Sequence, residues 1–152
     1  MRSSIFAAIA SFFISSCQTA GNFELTEITD EIKKTDIAFS DLSKQKGMRV
    51  AFLEYIDSTG VLLRPDHYPI IGKDAIRYLK EVKDTVFNLT WLPQNAVVAH
   101  SGELGYSYGV YTFSSKDTSF EGTYVSIWKK NSDGQWKFVL DTGNPGVGSG
   151  NK

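Results

Sequence analysis

A change of hydrophobic period near Val86 constrains this chain more than any other feature of its sequence. Before it, from Phe23 to about Lys46, Leu25, Ile28, Ile32, Phe39 and Leu42 recur at helical spacing with acids and lysines between them, as in a long helix that lays one face on a core. After it, FNLTWLP, AVVAHSG, ELGYSYGVYTFSS, GTYVSIWKK and QWKFVL alternate or are β-branched and aromatic, with turn-forming Gly, Asn, Asp and Lys between them. Helices followed by sequential strands predict an α+β domain, in which an antiparallel sheet covers one face with helices.

Between the two regimes, Gly47 stops the first helix and Met48 to Ile56 reads as a second, short one. Asp57-Ser58-Thr59-Gly60 reads as a turn, Val61 to Leu63 as a short strand, and Arg64 to Gly72 as a loop held by Pro65 and Pro69. Lys73 to Val82 is a third helix with Ala75, Ile76 and Leu79 on its inner side. A chain of 152 residues fits one domain, and at that size it needs neither metal nor disulfide to hold a core. We place that domain at 23–144, after a tether at 17–22, and expect 145–152 to be a flexible tail with nothing to bury.

The first sixteen residues have the layout of an export signal: Arg2, then an uncharged apolar stretch from Ile5 to Ile14. As a helix that stretch rises only about 15 Å, half the thickness of a bilayer core. The junction Ile14-Ser15-Ser16-Cys17 resembles the lipobox of bacterial lipoproteins, with the chain's only cysteine where a diacylglycerol would be attached. The alternatives are an ordinary signal peptide with a chance cysteine, or a buried structural thiol. Lipidation at Cys17 implies an exported protein anchored in a bacterial cell envelope, with the membrane as a partner.

Charge and histidine placement exclude other classes. With 16 Lys+Arg against 17 Asp+Glu and no like-charge run beyond a pair, no basic stripe tracks phosphates, and nucleic acid is not an expected partner. His67 and His100 lie far apart without Cys or carboxylates at ligand spacing, so neither a metal nor another cofactor is expected. His100, alternating with Val98 and Ala96, reads as a sheet histidine.

Trp128 and Trp136 flank Asn131-Ser132-Asp133-Gly134, which admits two turns. A two-residue Asp133-Gly134 turn would put the indoles on opposite faces; a type I turn with left-handed Gly134 puts both on one face, with Tyr124, Ser126, Phe138 and Leu140. Asn first and Gly fourth favour the second. Such a ring-rich face is either a packed core layer or the wall of a cavity, and Tyr55, Trp91, Tyr106, Tyr124, Trp128 and Trp136 are the candidate pocket residues.

Asp36 and Phe39, Gly47 and Phe52, Gly72, Trp91, SGELGY at 101–106, Gly109, Gly122, Tyr124, the WKKNSDGQWK run at 128–137 and Asp141 resemble the nuclear transport factor 2-like superfamily, and within it the SnoaL-like and ketosteroid isomerase-like bacterial domains. The resemblance implies a cone of helices on a curved sheet, a pocket between them, and frequent homodimerisation through the sheet. It implies no single reaction. Isomerase chemistry of that kind needs a tyrosine on the first helix and an acid on the penultimate strand, where this chain has no tyrosine and Ser126. Asp66 and His67 in the loop after the first strand are the remaining catalytic candidates, although neighbours in an extended segment point to opposite sides.

Three functions remain open: a binding domain for a small apolar or aromatic ligand or a partner, an isomerase or cyclase using Asp66 or His67, and a homodimeric structural module. The anchor is testable by itself. Cys17→Ser should move the protein from the membrane to the soluble fraction, because no apolar span or basic patch would then hold it; a cleaved variant that stays on the membrane contradicts lipidation.

Overall fold

The computed structural model describes residues 17–148; residues 1–16, where the export signal was expected, and the side chains of 17–24, including Cys17, lie outside the described residues, as do 149–152. In chain order the elements are α1 (Cys17–Lys46), α2 (Met48–Tyr55), β1 (Ile56–Leu63), β2 (Ile70–Ile71), α3 (Lys73–Glu81), a short 3-10 turn (Asp84–Val86), β3 (Phe87–Val98), β4 (Leu104–Ser115), β5 (Ser119–Lys130) and β6 (Trp136–Pro145). The strands form one sheet in the order β2-β1-β6-β5-β4-β3. β3 to β6 run antiparallel as expected, but β1 returns to lie parallel to β6, so the sheet is mixed.

Helix α1 begins earlier than expected and takes in the segment 17–22 read as a tether, since extending a formed helix is cheap compared with nucleating one. Its inward face carries Ile32, Asp36, Phe39, Ser40 and Ser43, all buried. Phe39 is the centre of the core, with ring centroids 4.8 Å from both Phe52 and Tyr55, 4.5 Å from Trp91, 5.6 Å from Phe138 and 6.0 Å from Trp128. Gly47, at φ 92°, ends the helix. The Asp84 carboxylate accepts the Arg49 N–H at 2.7 Å and so satisfies one of the free donors at the start of α2.

The turn expected at 57–60 is instead a bulge inside β1. Asp57 Oδ1 accepts both the Thr59 N–H (2.8 Å) and the Thr59 hydroxyl (2.6 Å), and the register against β6 slips between Ile56 and Val61. Turn chemistry is present, but pairing with β6 absorbs it into the strand. β3 continues past Pro93 with a register shift against β4 between Pro93 and Asn95, which an edge strand tolerates. Its outer edge is covered by α1: the Ser40 hydroxyl donates to the Trp91 carbonyl (2.7 Å) and accepts the Trp91 N–H (2.8 Å), and the Ser43 hydroxyl donates to the Leu89 carbonyl (2.6 Å). His100 lies beyond β3 in an exposed turn rather than in the sheet.

The β5–β6 hairpin has the second of the two turns. The Gly134 N–H donates to the Asn131 carbonyl at 3.0 Å, Gly134 has φ 76°, and Trp128 pairs with Phe138 so that both indoles face inward. One further residue changes the rest of the strand. Ile127 pairs with Leu140 while Trp128 pairs with Phe138, so Val139 is bulged, and Asp141 rather than Leu140 turns inward opposite Ser126.

Nothing lies within 4 Å of a Cβ built at Gly134, so a substitution there probes backbone conformation alone. Gly134→Val should lower unfolding free energy by on the order of 1 kcal/mol or more in urea titration, because a β-branched residue resists positive φ; an unchanged midpoint contradicts the left-handed turn.

Candidate functional site

Between the concave face of the sheet, α2 and α3 lies a cavity of about 540 Å³. Its size is that of a small-ligand site. The strands contribute Phe87, Leu89 and Trp91 of β3, Tyr111 and Phe113 of β4, Phe120, Tyr124 and Ser126 of β5, and Asp141 to Gly143 with Pro145 of β6; Met48, Phe52, Arg64, Pro65, Tyr78 and Val82 complete the lining. Alternation explains the β3 and β4 sets, since every second side chain of a strand faces the same way. Phe113 lies between Phe87 and Phe120, with stacked centroids at 5.0 and 5.1 Å, as an apolar wall.

The charged groups of the cavity are committed to one another. Arg64 Nη2 pairs with Asp141 Oδ1 at 2.7 Å, while its Nη1 donates to the carbonyls of Leu63 (3.0 Å) and Asp141 (3.1 Å). The Ser126 hydroxyl donates to Asp141 Oδ2 at 2.8 Å. The Arg64 guanidinium lies 5.6 Å from the Phe52 ring centroid, a cation-π contact that packs it against the cavity wall. Behind the wall, Asp36 has 0% exposure and receives the Trp91 Nε1–H and the Tyr124 O–H, each at 2.7 Å, and a hydrogen bond from Ser107. Trp128 Nε1 donates to Ser107 at 2.8 Å and extends this network under β4.

Burial pushes the Asp36 carboxyl above the usual carboxylate range; the hydrogen bonds from Ser107, Tyr124 and Trp91 oppose that shift, and the charge of Asp141 adds to it. Burial likewise raises the Tyr124 phenol, followed by the Asp36 charge and the hydrogen bond to it. Tyr124 therefore stays protonated and gives its proton to Asp36, leaving its oxygen as an acceptor.

The expected pocket residues are distributed over four places. Trp91 and Tyr124 line the cavity. Tyr55 and Trp136 line a second, more open cleft with Glu31, Lys34 and Lys137, where Glu31 accepts from both Lys130 (2.7 Å) and Trp136 Nε1 (3.2 Å). Trp128 is wholly buried in the core, and Tyr106 stands 41% exposed on the outer face of the sheet. Trp128 shares strand parity with Tyr124 and Ser126 but lies further along β5, bonded to Ser107 under β4, whereas parity accounts for Tyr106. Gly105, Ser107 and Gly109 of β4 are the residues that face α1 and the core, and a Cβ at Gly105 would come within 2.5 Å of Ile32, so Tyr106 must point away.

Asp66 and His67 are exposed and outside the cavity lining. Their segment is a turn rather than extended chain: Asp66 has φ 61° and the His67 N–H reaches the Arg64 carbonyl at 3.3 Å. The His67 ring is held by the Pro65 carbonyl at 2.8 Å and edge-to-face against Tyr78 at 5.5 Å. Sequence reasoning passed over Arg64, Asp141, Tyr111 and the three phenylalanines. Phe87 shares strand parity with Trp91 and Phe120 with Tyr124, and those two could have been found that way; Phe113 follows from its pairing with Leu89 and Phe120. Among the described residues no group of three or more His, Cys, Asp or Glu converges to hold a metal, and no helix is long and apolar enough to cross a membrane.

This arrangement of helices and sheet is shared with many solved structures. A ketosteroid isomerase-like protein from Erwinia carotovora atroseptica superposes with a TM-score of 0.61 at 15% identity, covering 82% of this chain and 97% of that one. A protein from Novosphingobium aromaticivorans described as having a cystatin-like fold gives 0.67 at 15%, over 91% and 94%. The chain has the nuclear transport factor 2-like fold. An epoxide hydrolase of the LEH-like type from M. tuberculosis shares that nuclear transport factor 2-like architecture with a TM-score of 0.55 at 10% identity, over 78% and 81%. No family model matches the sequence, and no curated protein does.

The resemblance called for a tyrosine on the first helix and an acid on the penultimate strand; α1 instead carries the buried Asp36, bonded to Tyr124 of β5, and β5 has Ser126 where the acid was expected. Because Asp36 is protonated more readily when buried than in the unfolded chain, its folded-state contribution is fully present below the ordinary Asp value and is lost as pH rises through the raised one. Wild type should lose stability relative to Asp36→Asn as pH climbs from about 4 upward, measured by urea midpoints of both proteins across pH. A difference that stays flat or grows in favour of wild type contradicts the burial-driven shift.

Proposed function

We propose that this protein is a lipid-anchored domain of a bacterial cell envelope that binds a small apolar or aromatic ligand in the cavity between its sheet and helices, without chemistry of its own. The observation that carries the reading is a large cavity walled by aromatic rings in which the hydroxyls of Tyr124 and Ser126 are already donated to Asp36 and Asp141. A catalytic oxyanion site needs donors aimed at the substrate, and these are aimed at carboxylates instead. The anchor rests on the Ile14-Ser15-Ser16-Cys17 junction and the apolar stretch before it. A homodimer through the outer sheet face is the second part of the reading, supported by Leu104, Tyr106 and Tyr108, each at least 40% exposed on one side of β4.

Binding should be visible as a change in tryptophan emission when naphthalene is titrated in, since Trp91 lines the cavity. Tyr111→Ala should weaken that binding at least about fivefold, and His67→Ala should leave it within about twofold, because a lost ring face removes apolar contact that a loop histidine never supplied. If His67→Ala instead leaves binding intact and abolishes turnover of a carbonyl substrate, the isomerase or cyclase reading with Asp66 or His67 replaces this one.

A further inference from the structure

We infer that the cavity selects neutral ligands carrying a hydroxyl group and rejects carboxylates of the same shape. The inference rests on the ligand-binding reading above and specifies what the site would accept. Its polar wall contains one cation and one carboxylate, with a second carboxyl group buried behind it. Arg64 is neutralised by Asp141 at 2.7 Å, and Asp36 stands behind Trp91 and Tyr124 with no cation bonded to it. The wall is therefore neutral or negative, and a carboxylate brought into an apolar cavity against it would lose its hydration without gaining an unpaired positive charge.

Hydrogen-bond polarity points the same way. The Tyr124 and Ser126 hydroxyls spend their protons on Asp36 and Asp141, so toward the cavity they have only acceptor lone pairs. A ligand hydroxyl can donate to such an oxygen, whereas a carboxylate cannot. Arg64 bonds two carbonyls through Nη1 and one carboxylate oxygen through Nη2, so these charge-assisted donors are spent within the chain. Elsewhere in the wall Phe87, Phe113 and Phe120 contribute apolar surface alone, and Tyr111 adds its ring face and a neutral hydroxyl.

The test compares naphthalene, naphthol and naphthoate on the folded wild-type protein at neutral pH, by calorimetry and tryptophan emission. Naphthol should bind at least about threefold tighter than naphthalene and at least about tenfold tighter than naphthoate. Smaller ratios on either comparison overturn the inference while leaving the binding reading intact. Failure of all three probes to bind overturns both. In Asp141→Asn the charge of Arg64 loses its compensation, and naphthoate should gain at least about tenfold with naphthol little changed; a folded variant with no gain overturns the charge argument. Should that variant not fold, the wild-type ratios still decide.

Discussion

The structure is organised around a carboxylate that water does not reach. Asp36 sits on the buried face of α1, where an unbonded acid would be strongly destabilising, and three donors from three different strands converge on it: Trp91 of β3, Ser107 of β4 and Tyr124 of β5. Each bond fixes a helix to a strand, so together they set the position of α1 along the sheet. Ser40 and Ser43 add hydroxyl bonds to the backbone of β3 at its otherwise unpaired edge. Apolar packing through Phe39 supplies the bulk of the adhesion, but it is not directional; the polar contacts select one docking among many.

The same network shapes the cavity. It holds the Trp91 indole and the Tyr124 phenol at their polar ends, leaving their ring surfaces to form the wall. At the neighbouring strand the bulge at Val139 turns Asp141 inward, where it meets Ser126 and Arg64. One inserted residue thus decides whether the cavity has a charged corner or a leucine there.

Much of the fold could be read from the sequence because its signals are local. The period change at Val86, Gly47 and the Asn131 to Gly134 turn each depend on a few neighbouring residues, and all three mark features of the structure. What escaped depends on partners distant in sequence. The bulge at Val139 arises from pairing with β5, the Asx turn at Asp57 is drawn into a strand by β6, and the outward direction of Tyr106 follows from α1 lying against Gly105. The site suffered most, because it is assembled from distant parts of the chain: Trp91 and Tyr124 are in the wall, Trp128 is beneath it, and Arg64 and Asp141 come together from positions 77 residues apart.

The most direct test of the account is a crystal structure of the protein grown with naphthalene. The account predicts ring density between Trp91, Tyr111 and Tyr124, with Asp36 still bonded to Trp91 and Tyr124. Density for the probe on the outer sheet face beside Tyr106, or a cavity closed by its own aromatic side chains, would contradict it.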